Sequence, residues 1–229
     1  MNTTWQTLLK AHEPRRPGLV PVERQLRSRP DTGPEIRRLF RLLALHHPET
    51  AAHSIRVRRY ALWLADEYGL AAPRRRQLGL AARLHDVGKL CVPRAVLDKP
   101  ARLNPAEFRR VQDHPVAGEL LLRGLTSSTA ILAAVRWHHE RPDGRGYPDG
   151  IGGRRLPLLP RLLAVADVFD AMTSPRPYSP PLHWAEALDR LRAGAGAQFD
   201  GEVVEAFAAV LRQPALRCEV LGACGRKVS

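Results

Sequence analysis

Apolar residues recur at helical spacing along most of this chain. From Pro34, the positions Ile36, Leu39, Phe40, Leu42 and Leu43 form one helical face, which Pro48 stops. A longer helix begins near Pro48-Glu49 and carries Ala52, Ile55, Leu62, Ala65 and Tyr68 to Gly69, with Arg56, Arg58 and Arg59 elsewhere on its surface. Pro73 restarts a helix where its missing N–H costs nothing, and Leu78, Leu80, Ala81 and Leu84 continue it to His85-Asp86-Val87-Gly88-Lys89. Val92-Pro93 and Pro100 mark a crossing loop, after which Asn104-Pro105 caps and opens a helix to about Asp113. His114-Pro115 begins another apolar segment through Leu122, with His114 just outside its start. Ile131 to Val135 predicts a helix closed by Trp137-His138-His139-Glu140. Pro157 to Thr173 reads as a mostly buried helix. Two amphipathic helices follow, about His183 to Leu191 and Gly201-Glu202 to about Arg212. The 3.6-residue periodicity and the prolines leave no convincing strand, so the fold class is all-α, a helical bundle.

Three stretches depart from that pattern. Residues 1–33 are rich in Pro and Arg and read as an N-terminal extension; 34–215 form the helical domain and 216–229 a C-terminal tail. Residues 141–153 hold five glycines and two prolines, which neither a helix nor an ordinary strand accommodates. That stretch must be a shaped loop, and loops of this length in a compact domain are usually functional. Lastly, Asp167 and Asp170 stand in the apolar background of the Pro157–Thr173 helix. Unpartnered charge there is costly, so at least one of them should meet a metal or a cation.

Composition narrows the picture only modestly. The formal net charge is +13, yet of the 36 basic residues only Lys10, Lys89, Lys99 and Lys227 are lysine, and the arginines are spread along the whole chain. A dedicated nucleic-acid face is therefore not indicated, although a positive field helps an anionic ligand arrive. Cys91, Cys218 and Cys224 show no pairing or zinc pattern and read as reduced thiols. Neither a signal peptide nor an apolar run of about 18 residues is present, which predicts a cytoplasmic protein with no membrane contact.

Candidate chemistry centres on His85-Asp86-Val87-Gly88-Lys89. Adjacent helical residues point about 100° apart, so His85 and Asp86 meet one point only where the helix is ending, and Gly88 marks such an end. The motif alone also fits a solvated helix terminus, and Glu49 with His53, one turn apart, also fits an ordinary surface pair. Collected along the chain, the donors are Glu49, His53, His85, Asp86, His114, His138, His139 and Asp167. Eight nitrogen and oxygen donors exceed one ion and suit two or three divalent metals. Imidazole with carboxylate favours iron, manganese, nickel or zinc, and the absence of cysteine argues against a structural zinc.

These motifs, with His114-Pro115, His138-His139-Glu140, Asp143-Gly144-Arg145-Gly146-Tyr147-Pro148, Ala166-Asp167-Val168-Phe169-Asp170-Ala171 and Arg176-Pro177-Tyr178, resemble the HD-GYP branch of the HD phosphohydrolase superfamily. The resemblance covers roughly residues 45–210. It implies a helical bundle that hydrolyses the bacterial second messenger cyclic di-GMP to the linear dinucleotide or to GMP, through a hydroxide bridging two or three metal ions. It further implies that His53, His85, Asp86, His114, His138, His139 and Asp167 ligate metal and that Glu49 accompanies a third ion. Asp86 would bridge, Lys89 would sit by the scissile phosphate, and Tyr147 and Arg176 would line the substrate pocket. Asp170 and Glu140 are expected to orient histidines. The chain departs from the family in having Ser179 where a basic residue usually follows Arg-Pro-Tyr. That leaves open a weak or non-catalytic module that binds nucleotide or protein, or a hydrolase for another cyclic nucleotide. A homodimer or a regulatory protein partner is compatible with the same sequence.

Overall fold

Proline sets most of the helix starts. In the computed structural model, which describes residues 33–175, 180–213 and 216, Pro34, Pro48, Pro73, Pro105 and Pro115 each occupy the first turn of a helix, where no N–H partner is needed. The helices are α1 (Pro34–His46), α2 (Pro48–Glu67), α3 (Ala72–Leu84), α4 (Arg94–Leu97), α5 (Pro105–Gln112), α6 (His114–Arg123), α7 (Thr129–Trp137), α8 (Leu158–Thr173), α9 (Trp184–Ala193) and α10 (Gly201–Arg212). Short 3-10 turns cover Val87–Cys91 and Gly153–Arg155. Among the described residues there is no strand, only an isolated bridge between Ala195 and Phe199. No helix among them is long and apolar enough to cross a membrane. Most of the 1–33 extension and of the 216–229 tail, together with Arg176 and Ser179, lies outside the described residues.

The long helix α2 packs against α1, α3, α8 and α10, and α8 in turn touches α3, α7, α9 and α10. Where α2, α8 and α10 meet, Tyr60, Phe169 and Phe207 form an aromatic knot, with ring centroids 5.2 Å (Tyr60–Phe169) and 4.8 Å (Phe169–Phe207) apart. Both contacts are edge-to-face, the geometry the ring quadrupoles favour. Asp170 follows Phe169 directly, so this packing fixes the point from which α8 presents its carboxylates.

Two expected apolar faces are corrected. Leu42 and Ile55 are 46% and 56% exposed, and Ala52 is exposed as well. Neighbours on several sides of α2 select Ala51, Ser54, Val57, Ala61 and Leu64 for burial, a face that includes a serine and that apolarity alone does not single out. The crossing loop contains the extra helix α4. His114 is the first residue of α6 rather than outside it. Asn104 caps α5 as expected, within a reciprocal box completed by Glu107.

Phe169→Ala should cost about 3–5 kcal/mol of unfolding free energy, read as a lowered denaturant midpoint. A loss below about 1 kcal/mol would show that the knot does not anchor α8.

Candidate metal centre

Three of the histidines are prepared in the same way. Each terminates or begins a helix and turns Nδ1 onto the carbonyl three residues earlier: His85 to Ala82 at 2.8 Å, His114 to Val111 at 2.6 Å, His138 to Val135 at 2.7 Å. A carbonyl only accepts, so Nδ1 must carry the proton and donate, leaving Nε2 as a bare lone pair in each neutral ring. The Nε2 atoms of His114 and His138 then face each other at 3.2 Å. Two lone pairs at that distance repel unless a cation lies beside them. Burial, reinforced by the neighbouring histidines, pushes His138 well below the ordinary imidazole range, so that ring does not readily supply the charge itself. The Nε2 of His85 is buried and makes no hydrogen bond among the described residues. Lone pairs so placed could hold a metal ion.

Ligand atoms from His114, His138 and His139 lie within 4.8 Å of one another, and so do those from His53, His85 and Asp86. Asp86 faces both groups. Its Oδ1 is 3.2 Å from His114 Nε2, while its Oδ2 is 3.5 Å from His85 Nε2 and 3.9 Å from His53 Nε2. Asp167 Oδ1 lies 2.9 Å from His53 Nε2 and 3.8 Å from His85 Nε2. Seven of the eight expected donors are thus brought together. Glu49 is exposed and lines the adjoining cleft, but belongs to neither group.

The electrostatics suit cation binding. Burial opposes charge on Asp86, but the Lys89 ammonium 2.7 Å from Oδ2 and the surrounding histidines hold its carboxyl well below the usual range. Asp167 is likewise held low against the cost of burial, chiefly by His53. Burial lowers His139 to about 3, so its ring stays neutral at physiological pH. His53 behaves oppositely: burial again disfavours its charge, but the Asp167 and Asp170 carboxylates outweigh it and raise the pKa to about 9.

Asp170 is the buried carboxylate that needed a cation, and it has found one. It accepts from His53 Nδ1 at 2.7 Å and from Arg56 Nε and Nη2 at 2.7 and 2.9 Å. Arg56 was not singled out in the sequence, although it follows His53 by three residues on the same helix. Glu140 is a correction. Rather than orienting a histidine, its Oε1 accepts from the backbone N–H groups of Asp149 and Gly150 at 2.6 and 2.9 Å. The reason is geometric: the chain reverses after His139, and the carboxylate satisfies loop amides that a helix would otherwise have paired.

That glycine-rich loop closes one side of a cleft of about 660 Å³, whose walls include Lys89, Tyr147, Arg56, Asp98 and Lys99. The Tyr147 ring lies over His139, centroids 4.8 Å apart and planes 31° from parallel, and burial raises its phenol pKa. His47, not anticipated, bonds Asp98 at 3.0 Å and ties the start of α2 to the far wall.

The helix does end ahead of Gly88, α3 closing at Leu84, but not through a positive φ at the glycine; the turn is made by Asp86 at φ −94°, ψ 4°. A β-carbon on Gly88 would instead collide with the His114 carbonyl oxygen. Glycine lets the 3-10 turn and α6 approach closely enough for Asp86 and His114 to meet.

A model of the HD domain matches residues 37–203. The chain belongs to the HD domain family. An adjacent histidine–aspartate pair, His85-Asp86, lies within the matched span. This HD domain is similar to a protein from Pseudomonas aeruginosa named cyclic di-GMP phosphodiesterase (42% identity over 159 residues, 69% of this chain and 38% of the relative). It is also similar to a 3′3′-cGAMP-specific phosphodiesterase from Vibrio cholerae (38% identity over 160 residues, 70% and 35%). Among solved structures, a cyclic GMP-AMP specific phosphodiesterase of Vibrio cholerae shares the fold with a TM-score of 0.62 at 19% identity, covering 81% of this chain and 50% of that one. The chain thus spans well under half the length of these curated relatives.

Gly88→Ala should destabilise the HD domain by about 1–3 kcal/mol and lower the metal content of the purified protein. Unchanged metal content with unchanged stability would remove the close approach as the reason for glycine.

Proposed function

We propose that this HD domain is a metal-dependent phosphodiesterase acting on cyclic dinucleotides, with cyclic di-GMP as the first candidate substrate, in the cytoplasm of a bacterium. The observation that carries the reading is the convergence of Nε2 lone pairs and two buried carboxylates on the wall of an open cleft that also holds a lysine. A phosphodiester resists attack because its oxygens are negative, and this arrangement meets that resistance. His53, His85, Asp86, His114, His138, His139 and Asp167 would hold two divalent ions, and Glu49 at the cleft wall would serve a third. Iron or manganese suits the donor set best, nickel and zinc less well. Bound ions would supply a water of lowered pKa as nucleophile and positive charge against the phosphoryl oxygens.

The remaining work belongs to the side chains. Asp86, directed at both donor groups, would help to hold ions at either one. Lys89, held against Asp86 at 2.7 Å, places its ammonium where charge develops on the phosphoryl oxygens. Asp170, clamped by Arg56, fixes the His53 ring and keeps its Nδ1 proton in place, so that Nε2 is the atom an ion would take in exchange for its proton. Tyr147 presents an aromatic ring to a base; Arg176, outside the described residues, is proposed as a substrate contact from the sequence motif alone. The product is the linear dinucleotide or GMP.

A second reading of the same site rests on the relative named for 3′3′-cGAMP: the substrate is a mixed cyclic dinucleotide. Protein purified without chelators and assayed anaerobically under reducing conditions, with iron or manganese, should cleave a cyclic dinucleotide. Comparing cyclic di-GMP, 3′3′-cGAMP and cyclic di-AMP decides between the substrates. Replacing His85 and Asp86 together with alanine should cut turnover by about 10³-fold or more and lower metal occupancy. Metal-loaded wild-type protein that turns over none of the three would sink the enzyme reading.

A further inference from the structure

Arg136 stands on α7 two residues before His138, outside the donor set, yet it joins three parts of the site. Its Nε and Nη2 both donate to the Asp149 carboxylate at 2.7 Å, a two-pronged contact, and its Nη1 donates to Glu119 Oε2 at 2.8 Å. Glu119, on α6, is only 7% exposed. The same Asp149 carboxylate accepts from Trp137 Nε1 at 2.7 Å. Planar bidentate guanidinium–carboxylate contacts fix direction as well as distance, which a lysine cannot do.

The place where this network ends is informative. Asp149 follows Tyr147-Pro148, and its own N–H is held by Glu140. Residue 149 is therefore pinned through both main chain and side chain. On the other side, Tyr147 N–H donates to the His139 carbonyl at 3.2 Å. The aromatic ring on the cleft wall is thus suspended between two fixed points; its side-chain attachment to α6 runs through Arg136, and that to α7 through Arg136 and Trp137.

We propose that Arg136, braced by Glu119 and gripping Asp149, is a positioning residue that holds the Tyr147 loop in its substrate-receiving conformation. The proposal rests on the phosphodiesterase reading for what the ring receives, but not for the bracing itself. Without the brace, the ring and its loop must be ordered when ligand arrives, at about 0.5–1.5 kcal/mol per immobilised side chain. The Nδ1–carbonyl bonds of His85, His114 and His138 do not involve Arg136. The consequence is a separation: losing Arg136 weakens substrate binding and leaves metal content and the chemical step largely intact.

The test compares wild type with Arg136→Met, Asp149→Asn and Arg136→Lys by steady-state kinetics, metal analysis and limited trypsin digestion. Arg145, Arg154 and Arg155 are exposed within or beside the loop and report its opening without reference to activity. Arg136→Met and Asp149→Asn should each raise KM about tenfold with kcat within about twofold. Metal content should be unchanged and loop cleavage faster, and Arg136→Lys should recover part of the effect. Asp149→Asn, on the exposed side of the pair, carries the test if Arg136→Met does not fold. Wild-type KM with wild-type cleavage rate in both variants would overturn the proposal, as would a fall in kcat and metal content with KM unmoved. If wild type turns over no cyclic dinucleotide, the substrate reading fails, and the digestion rates alone still decide whether Arg136 braces the loop.

Discussion

Three hydrogen bonds from imidazole Nδ1 to the carbonyl one helical turn earlier set the terms for the whole site. They cost the histidines their freedom to change tautomer and commit three lone pairs to one buried space. A protein interior tolerates such a concentration of acceptors only with compensating positive charge. Asp86 and Asp167 deepen that requirement, since both remain ionised despite burial. Lys89, Arg56 and the protonable His53 meet part of it from within the chain; the geometry of the lone pairs asks for ions to meet the rest.

Meeting that requirement constrains the fold at a distance. Donors come from α2, the ends of α3 and α7, the start of α6 and the middle of α8, so several helix–helix contacts must hold their register together. The glycine at residue 88 allows one of these contacts, and the Tyr60–Phe169–Phe207 knot secures another beside Asp170. Helix termini recur because they free side chains and carbonyls from the strict projection of a helix interior. His85, His114 and His138 each use such a terminus.

The helices were legible in the sequence because proline and apolar spacing mark their boundaries independently, and the two agree at Pro34, Pro48, Pro73 and Pro105. Burial within a helix was less legible. Ile55 is more apolar than Ser54, yet Ser54 is buried, because which stripe faces inward depends on where the neighbouring helices lie, and that is not local information. The donor histidines could be gathered from motif order, but not assigned to two groups, since their spacing says nothing about which helix ends meet. Gly88 was legible as a helix end, but a sequence shows only that glycine is present, not whether φ or a neighbouring carbonyl requires it. Arg56 left a signal in retrospect, as a buried Asp170 demanded a cation and Arg56 shares a helix face with His53.

The loop carrying Tyr147 shows why a site of this kind needs two independent supports. An ion can order its own ligands, because binding energy is released at those atoms. It cannot order an aromatic ring that does not ligate it. The ring must be held by other means, and here those are a carboxylate on loop amides at Glu140 and a guanidinium fork at Arg136. The glycines that let the chain fold back on itself, as at Gly146 where any β-carbon would collide with Glu140, are the same residues that make the segment conformationally costly to order. Their freedom has to be removed by side-chain contacts in advance if it is not to be subtracted from ligand affinity. On the proposed reading, metal affinity and substrate affinity are governed by different residues in one cleft, so that either can change without the other.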